Sequence, residues 1–597
     1  MSFWEYLLGK RPKSEQLPIE PTIARSDSVK LEFAYAAICR GDFRQAREAL
    51  DREPNTTNPN CAFLLLSAQT WRQLGAYEKG ISECESALDL PSLTPSETSQ
   101  VHMEIAQCKL AAADLQAAID AIQVALAFDG SNGGAWLLLG DYKRRSDDHS
   151  AAQEAYRRAT TMLESNQDTA RAWFLLGQSM LYKGEIAAAK EAFETSLNLE
   201  PNLIDSHVGL GNVALWADDE QEAVRRFEYA FARMPNPGRL LSLNLGSAYQ
   251  SCGRRDEAYQ AFNRVLHEHP TDATARWYVC QLDLQLCRWE AGWRNYPSRF
   301  QAGATPYRPA VFKSWSGQIA KNDVLLVSSD EGLGDEIMYA SCFADAATRV
   351  GHLVLECDPR LSALFRRSFP ECTVVGTMRE EHSRWLDGVR APNWQIPSGQ
   401  LPEIFRRSDS AFPFHHGYLK PDPHRTAIWK SLLTERLGQG LKVGISWRGG
   451  SVKTRMRARS LPAASWGEIL SVPGVKFVNL QYGDYTQELA AINYLHGNCV
   501  HDFHLDNADY DDTAALVSAL DLVVTVCTAV VHLAGALGQP VWILAPLSPG
   551  WRYTAERSTM PWYPSSRIFR QHTWGDWSAP CQELSAALAE LTKNGTT

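Results

Sequence analysis

The sequence predicts an α plus α/β protein, in which an all-α repeat solenoid precedes two units built on parallel, doubly wound sheets. Helical periodicity recurs about every 34 residues in the first half. Short apolar runs alternate with helical segments in the second half. A length of 597 residues also exceeds what one core supports, at roughly 100 to 200 residues per domain. We predict an N-terminal segment 1–28, a solenoid 29–300, a linker 301–320, and α/β units 321–438 and 439–597.

The composition argues against several classes of binding partner. The formal net charge is -10, so no overall basic excess points to nucleic acid or to an anionic membrane. The 13 cysteines contain no CxxC pair and fit reduced thiols. Apolar residues precede the cations at the N-terminus, which is the wrong order for a signal peptide, and no long uncharged apolar window occurs. We expect a cytoplasmic protein without a membrane span, a metal or a nucleic-acid partner.

The repeats are clearest in two copies that begin at Trp173 and His207. In each copy small residues recur where two helices cross closely, an aromatic residue fills the layer between them, and a proline ends the second helix. The matching positions are Gly177, Ala189, Phe193 and Pro201; Gly211, Ala223, Phe227 and Pro235; Gly246, Ala258, Phe262 and Pro270. These positions resemble tetratricopeptide repeats, about seven in number, with a degenerate eighth from Trp277 to Trp293.

A helical solenoid presents a long concave surface that usually binds a peptide or a protein. The alternative is that the array only scaffolds or dimerises the chain. The segment 289–300 holds four aromatic residues, and we predict that it covers the last repeat and attaches it to the next domain.

The first α/β unit shows apolar strand-like runs separated by helical segments. The pattern predicts a first strand at 324–328, a glycine-rich acidic turn, and then a helix through Val350. Later elements are a strand at 353–356, a helix at 361–368 and a strand at 372–375. The proline-rich region 391–423 reads as loop.

The second α/β unit is predicted to hold strands at 442–447, 476–480, 520–526 and 541–544. The turn after the third of these strands leads into a helix at Thr528. Free N–H groups at such a helix start suit a phosphate, and His532 shares the first turn with Thr528. Two units facing each other across a cleft would make a GT-B-like architecture, a glycosyltransferase class.

A family resemblance rests on motifs in this region. The motifs are Gly332-Leu-Gly-Asp-Glu336, Gly444-Ile-Ser-Trp-Arg-Gly449, Asn479-Leu-Gln481, Asp511-Asp-Thr-Ala514, Thr528-Ala-Val-Val-His-Leu-Ala-Gly535 and Trp562-Tyr-Pro with Arg567-Ile-Phe-Arg-Gln571. With these motifs, the chain resembles bacterial tetratricopeptide-repeat proteins that carry a heptosyltransferase-like glycosyltransferase domain, over about 270 residues at the C-terminus. Within that group it looks most like the flagellin-modifying protein O-glycosyltransferases.

The resemblance implies an acceptor side and a donor side. On the acceptor-side loop of Gly332, Gly334 and Asp335, the match makes Asp335 the candidate general base, with Glu331 and Glu336 behind it. The alternative is that Asp335 and Glu336 only complement the helix dipole. Candidate catalytic residues are Asp335, Glu336 and His532.

The donor side combines cations with a helix start. Five cations fall within the twelve residues from Arg448 to Arg459, which suits an anionic ligand or, alternatively, only a solvated loop. His532 is alternatively a structural histidine. The family usually has Asp where this chain has Cys527, which leaves Thr528 as the predicted helix cap. Candidate donor-binding residues are Arg448, Lys453, Gln481, Thr528, Ala529 and His532.

The implied activity is transfer of a sugar from a nucleotide-sugar co-substrate, without another cofactor, to Ser or Thr of a protein such as flagellin. A nonulosonic acid such as pseudaminic acid would suit the basic segment. Three alternatives stay open. One is a non-catalytic repeat scaffold with a degenerate transferase domain, which Cys527 favours. The second is a transferase that acts on a lipid or polysaccharide. The third is that the repeats recruit an assembly partner and not the acceptor itself.

Overall fold

A computed structural model describes residues 29–51, 60–379, 386, 388–450, 456–505 and 509–594. The predicted N-terminal segment 1–28 and the candidate donor-binding residue Lys453 lie outside these ranges. Two compact units divide the chain, the first ending at Pro237 and the second beginning at Gly238. The fold class is the predicted one, α plus α/β. Within the described ranges, no helix combines the length and apolar character needed to cross a membrane.

The first unit consists of helices in antiparallel pairs. Its described residues form α1 (Val29–Cys39), α2 (Phe43–Asp51), α3 (Cys61–Gln73), α4 (Tyr77–Leu88), α5 (Pro95–Ala111), α6 (Leu115–Phe128), α7 (Gly133–Arg145), α8 (His149–Met162), α9 (Asn166–Tyr182), α10 (Ile186–Leu199), α11 (Ile204–Trp216) and α12 (Glu220–Arg233). Asn, Asp, Ser or Thr side chains cap many of these helices, as at Asn60, Thr94 and Ser165.

A glycine in the first helix of a repeat packs against an aromatic ring sixteen residues further on. A Cβ built on such a glycine would overlap the ring, so only glycine allows this close crossing. The distances from that Cβ to the ring are 2.5 Å for Gly140 and Tyr156, 2.9 Å for Gly177 and Phe193, and 2.4 Å for Gly211 and Phe227. The small and aromatic positions of the repeat therefore have the predicted steric role.

The second unit begins with five further helices: α13 (Arg239–Ser251), α14 (Arg255–Glu268), α15 (Ala273–Gln285), α16 (Trp289–Asn295) and α17 (Ser298–Gln301). In the last repeat Cys280 takes the place of the glycine and Tyr296 that of the aromatic residue. Trp289 Nε1 donates to Asp409 Oδ1 at 2.8 Å, and Trp293 Nε1 donates to the Arg406 carbonyl at 2.9 Å. The aromatic segment thus attaches the repeats to the first sheet's domain, as predicted.

The first sheet is parallel, with strand order β1-β5-β2-β3-β4. Its strands are β1 (Lys313–Ser314), β2 (Ala320–Ser328), β3 (Val350–Cys357), β4 (Thr373–Gly376) and β5 (Trp394–Pro397). The helices here are α18 (Leu333–Tyr339), α19 (Phe343–Ala347), α20 (Ser362–Ser368), α21 (Leu401–Phe405) and α22 (Pro423–Leu437).

The structure corrects three details of this region. The helix predicted through Val350 is broken at 340–342, and Val350 already begins β3. The proline-rich region predicted as loop holds β5, which pairs with β2. The predicted linker holds β1, which pairs with β5.

The second sheet is also parallel, with strand order β11-β10-β9-β6-β7-β8. Its strands are β6 (Leu441–Ser446), β7 (Val475–Asn479), β8 (Val500–His501), β9 (Leu522–Val526), β10 (Val541–Ala545) and β11 (Ser566–Arg570). Its helices are α23 (Gly467–Leu470), α24 (Thr486–His496), α25 (Tyr510–Ala519), α26 (Ala529–Ala536) and α27 (Ser578–Asn594).

The strand order of each sheet reverses at one point. In the first sheet the chain leaves β2 toward β3 and β4 and returns to β5 on the other side of β2. In the second sheet it leaves β6 toward β7 and β8 and returns to β9. Open α/β sheets bind ligands at the carboxyl ends of strands beside such a reversal. The turns after β2 and β9 are therefore the candidate ligand-binding positions of the two sheets.

Candidate functional site

The two turns at the strand-order reversals lie against each other. A Cβ on Gly334, in the first turn of α18, would lie 3.0 Å from His532 Cδ2 and 3.1 Å from Ala529 Cα in α26. Gly332 precedes α18 as its N-cap residue, and Thr528 precedes α26. The structure thus brings the predicted acceptor-side loop together with three of the predicted donor-side residues.

Asp335 is held by an arginine from the opposite sheet's domain. Arg552, which follows β10, forms an ion pair with the Asp335 carboxylate through its Nε. The Asp335 side chain keeps 19% of its surface exposed. The same guanidinium lies 3.1 Å from Glu331 Oε2 through Nη2. One cation therefore bridges two carboxylates four residues apart.

The Glu331 side chain is mostly buried, with 9% of its surface exposed, and hydrogen-bond donors surround it. Its Oε1 accepts a hydrogen bond from the Tyr296 hydroxyl at 2.5 Å and lies 3.1 Å from Arg299 Nε. The Tyr339 hydroxyl donates to Oε2 at 3.3 Å. Burial, followed by repulsion from Asp335, raises the pKa of Glu331 to about 7.

Glu336 belongs to a different cluster, inside the first sheet's domain. Its carboxylate accepts bonds from the Ser329 hydroxyl at 2.5 Å, the Asp358 amide at 2.8 Å and Arg379 Nη2 at 2.7 Å. Burial raises its pKa to about 7. Three protein donors bind this carboxylate, so Glu336 holds neighbouring segments of the first sheet's domain together beside the site.

Thr528 and His532 occupy the first turn of α26. The Thr528 hydroxyl accepts from the Val530 amide at 3.1 Å and caps the helix, as the sequence predicts. His532 Nδ1 is hydrogen-bonded to the Tyr563 hydroxyl at 3.1 Å. Burial, together with the positive charges of Arg552 and Arg459, lowers the pKa of His532 to about 3. His532 is therefore neutral at physiological pH.

Cys527 lies at the end of β9, directly before the cap. Its carbonyl accepts a hydrogen bond from Arg459 Nη2 at 2.5 Å. Burial raises the pKa of its thiol to about 11, so the side chain supplies no negative charge. Of the cations in the basic segment, Arg459 is thus the one that reaches this turn in the described part of the chain.

Arg448 and Gln481 lie on the β7 side of the second sheet. Arg448 Nη2 donates to the Asp484 carbonyl at 2.8 Å, and Nη1 lies 3.3 Å from Glu488 Oε1. Gln481 Oε1 accepts from the amides of Trp447 at 3.0 Å and Arg448 at 2.9 Å. Both side chains brace the loop after β6, and their assignment to donor binding stays a prediction.

Sequence reasoning missed Arg552 and Tyr296 as members of this cluster. Arg552 stands in a Trp-Arg-Tyr run after β10 and carries no motif of its own. Tyr296 occupies the aromatic position of a repeat, where packing alone explains it. The available signal for Arg552 was its place after β10, since loops after parallel strands collect site residues.

Comparison with known proteins confirms the tetratricopeptide repeats and identifies a protein family for the chain. The tetratricopeptide-repeat family matches residues 170–203 and residues 241–267. Two solved structures are also similar to this chain at low identity. The APC/C hetero-tetramer Cut9-Hcn1 is 18% identical, with 47% of this chain and 54% of that chain covered and a TM-score of 0.36. MamA is 24% identical, with 28% and 96% covered and a TM-score of 0.25.

Two curated proteins are similar in sequence. The protein CTR9 homolog of Arabidopsis thaliana is 30% identical over 113 residues, which cover 19% of this chain and 10% of that protein. Protein FlbA of Caulobacter vibrioides is 31% identical over 452 residues, which cover 73% of this chain and 70% of FlbA. The chain belongs to the same protein family as FlbA.

Proposed function

We propose that this protein is a cytoplasmic glycosyltransferase that moves a sugar from a nucleotide donor to Ser or Thr of a protein bound by its repeats. One observation carries the proposal. The reversal points of two doubly wound sheets face each other, with the partly exposed Asp335 carboxylate on one side and the start of α26 on the other. The resemblance to flagellin O-glycosyltransferases makes flagellin the first acceptor to test.

The proposed reaction needs a base on the acceptor side. Asp335 takes the proton of the acceptor hydroxyl as its oxygen forms a bond to the anomeric carbon of the sugar. The bond from that carbon to the donor phosphate breaks, and its electron pair leaves with the nucleotide. Arg552 forms an ion pair with the Asp335 carboxylate and holds it in position.

The donor side handles the negative charge of the leaving nucleotide. The start of α26 and the guanidinium of Arg459, beside Cys527, suit a phosphate. Arg448 and Lys453 belong to the same basic segment and are proposed to serve the donor. Neutral His532 acts as a hydrogen-bonding group and not as a cation.

The test measures sugar transfer directly. The purified chain is mixed with flagellin and with CMP, UDP, GDP or ADP sugars, and the mass of the acceptor is recorded. Only the cognate nucleotide should raise the melting temperature substantially. We expect Asp335→Asn to lower transfer by about 10²-fold or more. The matched control is Asp256→Asn, because Asp256 is an exposed aspartate in the first turn of α14.

A second candidate function is a repeat scaffold without catalysis. Cys527 favours it, because its thiol brings no charge to a position where the related transferases carry an aspartate. A chain that adds no sugar mass to any acceptor and gains no stability from any nucleotide of the panel would support the scaffold and remove the transferase proposal.

A further inference from the structure

The last repeat reaches the loop that carries the candidate base. Tyr296 and Arg299 are fully buried, and both contact Glu331, which stands four residues before Asp335. Arg299 also forms an ion pair with Asp330 in the same loop. Asp330 in turn accepts from the Ser398 hydroxyl at 2.8 Å and the Gly399 amide at 3.1 Å. The loop after β2 is thus fixed from the repeat side by two side chains.

These contacts continue to Asp335 through shared charges. Glu331 lies 3.1 Å from Arg552, and Arg552 in turn pairs with Asp335. The path therefore runs from the Tyr296 hydroxyl to Glu331, to Arg552 and to Asp335. Each step is a hydrogen bond or an ion pair, and each group in it is mostly or fully buried.

We propose that Tyr296 and Arg299 are positioning residues for Asp335, so that the last tetratricopeptide repeat forms part of the active site as well as part of the solenoid. This inference rests on the proposed glycosyltransferase function. It assigns the repeat array a role in the chemical step, separate from any role in holding the acceptor.

The Tyr296 hydroxyl acts on the charge of Glu331. The charged groups that face Glu331 are Asp330, Asp335, Arg299 and Arg552, and the Tyr339 hydroxyl is a second neutral donor. Burial disfavours the charged form, whereas each donor favours it. Loss of the Tyr296 hydroxyl therefore raises the pKa of Glu331 further. A protonated Glu331 attracts Arg552 less, so Arg552 shifts toward Asp335 and changes the position of that carboxylate.

The experiment is Tyr296→Phe in the full chain, because phenylalanine keeps the ring that packs between Trp293 and Trp551. We expect kcat for sugar transfer at neutral pH to fall about tenfold. The acid limb of the pH–rate profile, which follows the deprotonation of Glu331, should move upward by about one pH unit, while KM for donor and acceptor changes less than twofold. Tyr307→Phe is the matched control, since Tyr307 is 67% exposed, and its profile should equal the wild type.

A second variant separates positioning from packing. Arg299→Lys keeps the positive charge but loses the planar fork that contacts Asp330 and Glu331 together. It should show the same upward movement of the acid limb. An active wild type whose acid limb stays unchanged in both variants would overturn the inference and leave the proposed function standing. A wild type that transfers no sugar at all would overturn both.

Discussion

Arg552, after the fifth strand of the second sheet, forms an ion pair with Asp335, in the first turn of the helix that follows β2 of the first sheet. Because Glu331 shares the same guanidinium, this one side chain contacts two carboxylates and joins two domains. The stability of the junction and the position of the candidate base therefore depend on the same residue.

Replacing Arg552 should destabilise the protein more than an ordinary ion-pair loss. Arg552→Met leaves the mostly buried Asp335 carboxylate without its cation and leaves Glu331 with Arg299 alone, which costs about 3 kcal/mol. Urea unfolding followed by tryptophan fluorescence measures the change. Arg557→Met is the control, because Arg557 and Asp409 form a more exposed pair worth about 1 kcal/mol or less. Equal losses in the two variants would contradict the bridging role of Arg552.

Gly334 is expected to tolerate no side chain. A Cβ there meets the backbone of Ala529 and the ring of His532, so Gly334→Ala should cost about 1 to 3 kcal/mol. Gly332→Ala is the matched variant two residues away. Its Cβ meets only the flexible Asp335 Oδ2 at 3.4 Å, and its cost should stay below about 1 kcal/mol. Thermal unfolding compares the pair, and a larger loss for Gly332→Ala would refute the close contact.

His532 should stay neutral well below its ordinary pKa. Nitrogen chemical shifts of its imidazole are expected to remain unchanged between pH 7 and pH 4, because the folded pKa is about 3. The unfolded chain binds this proton below about pH 6.5, so stability falls by about 1.4 kcal/mol per pH unit as the pH drops from there.

The acids Glu331 and Glu336 have the opposite effect on the pH dependence of stability. Their folded pKa values are raised to about 7, so they contribute stability at low pH that is lost as the pH rises toward 7. The contribution of His532 is therefore measured as the difference between the wild type and His532→Asn across pH 4 to 7. A difference that does not change with pH would show that His532 takes up a proton in the folded protein.

The folding unit of the second half should include the last repeats. A fragment of residues 238–597 is expected to fold, since it keeps one compact unit intact. A fragment beginning at residue 301 lacks Trp293, Tyr296 and Arg299, whose partners are then left exposed or unpaired. Near-ultraviolet circular dichroism and resistance to protease compare the two. A fragment from residue 301 that unfolds as cooperatively as the longer one would contradict this expectation.

Local sequence patterns predict the repeats and most strands. The spacing of glycine and aromatic residues predicts the helix crossings because each repeat packs within itself, as Gly211 does against Phe227. Apolar runs predict β2, β6, β9 and β10 because a strand of a parallel sheet is buried on both faces.

Strand β5 escapes prediction because its four residues stand among prolines and include the polar Gln395. The Gln395 side chain accepts from the Val311 amide at 2.9 Å, a contact between segments that are far apart in the chain. The candidate site likewise contains one feature that the local sequence predicts and one that it does not. The cap at Thr528 follows from local sequence, whereas the pairing of Arg552 with Asp335 joins loops more than two hundred residues apart. Only the arrangement of the two sheets sets that pairing.

Tyr296 also fixes where the repeat array ends. Arrays of this kind lengthen by duplication, which requires that the second helix of one repeat can receive a new neighbour. In the last repeat that surface is occupied, because Tyr296 bonds to Glu331 and Trp293 donates to Arg406. A copy inserted after Gln301 would separate these residues from their partners. The array can therefore gain repeats only upstream, and its downstream end is set by the domain it adjoins.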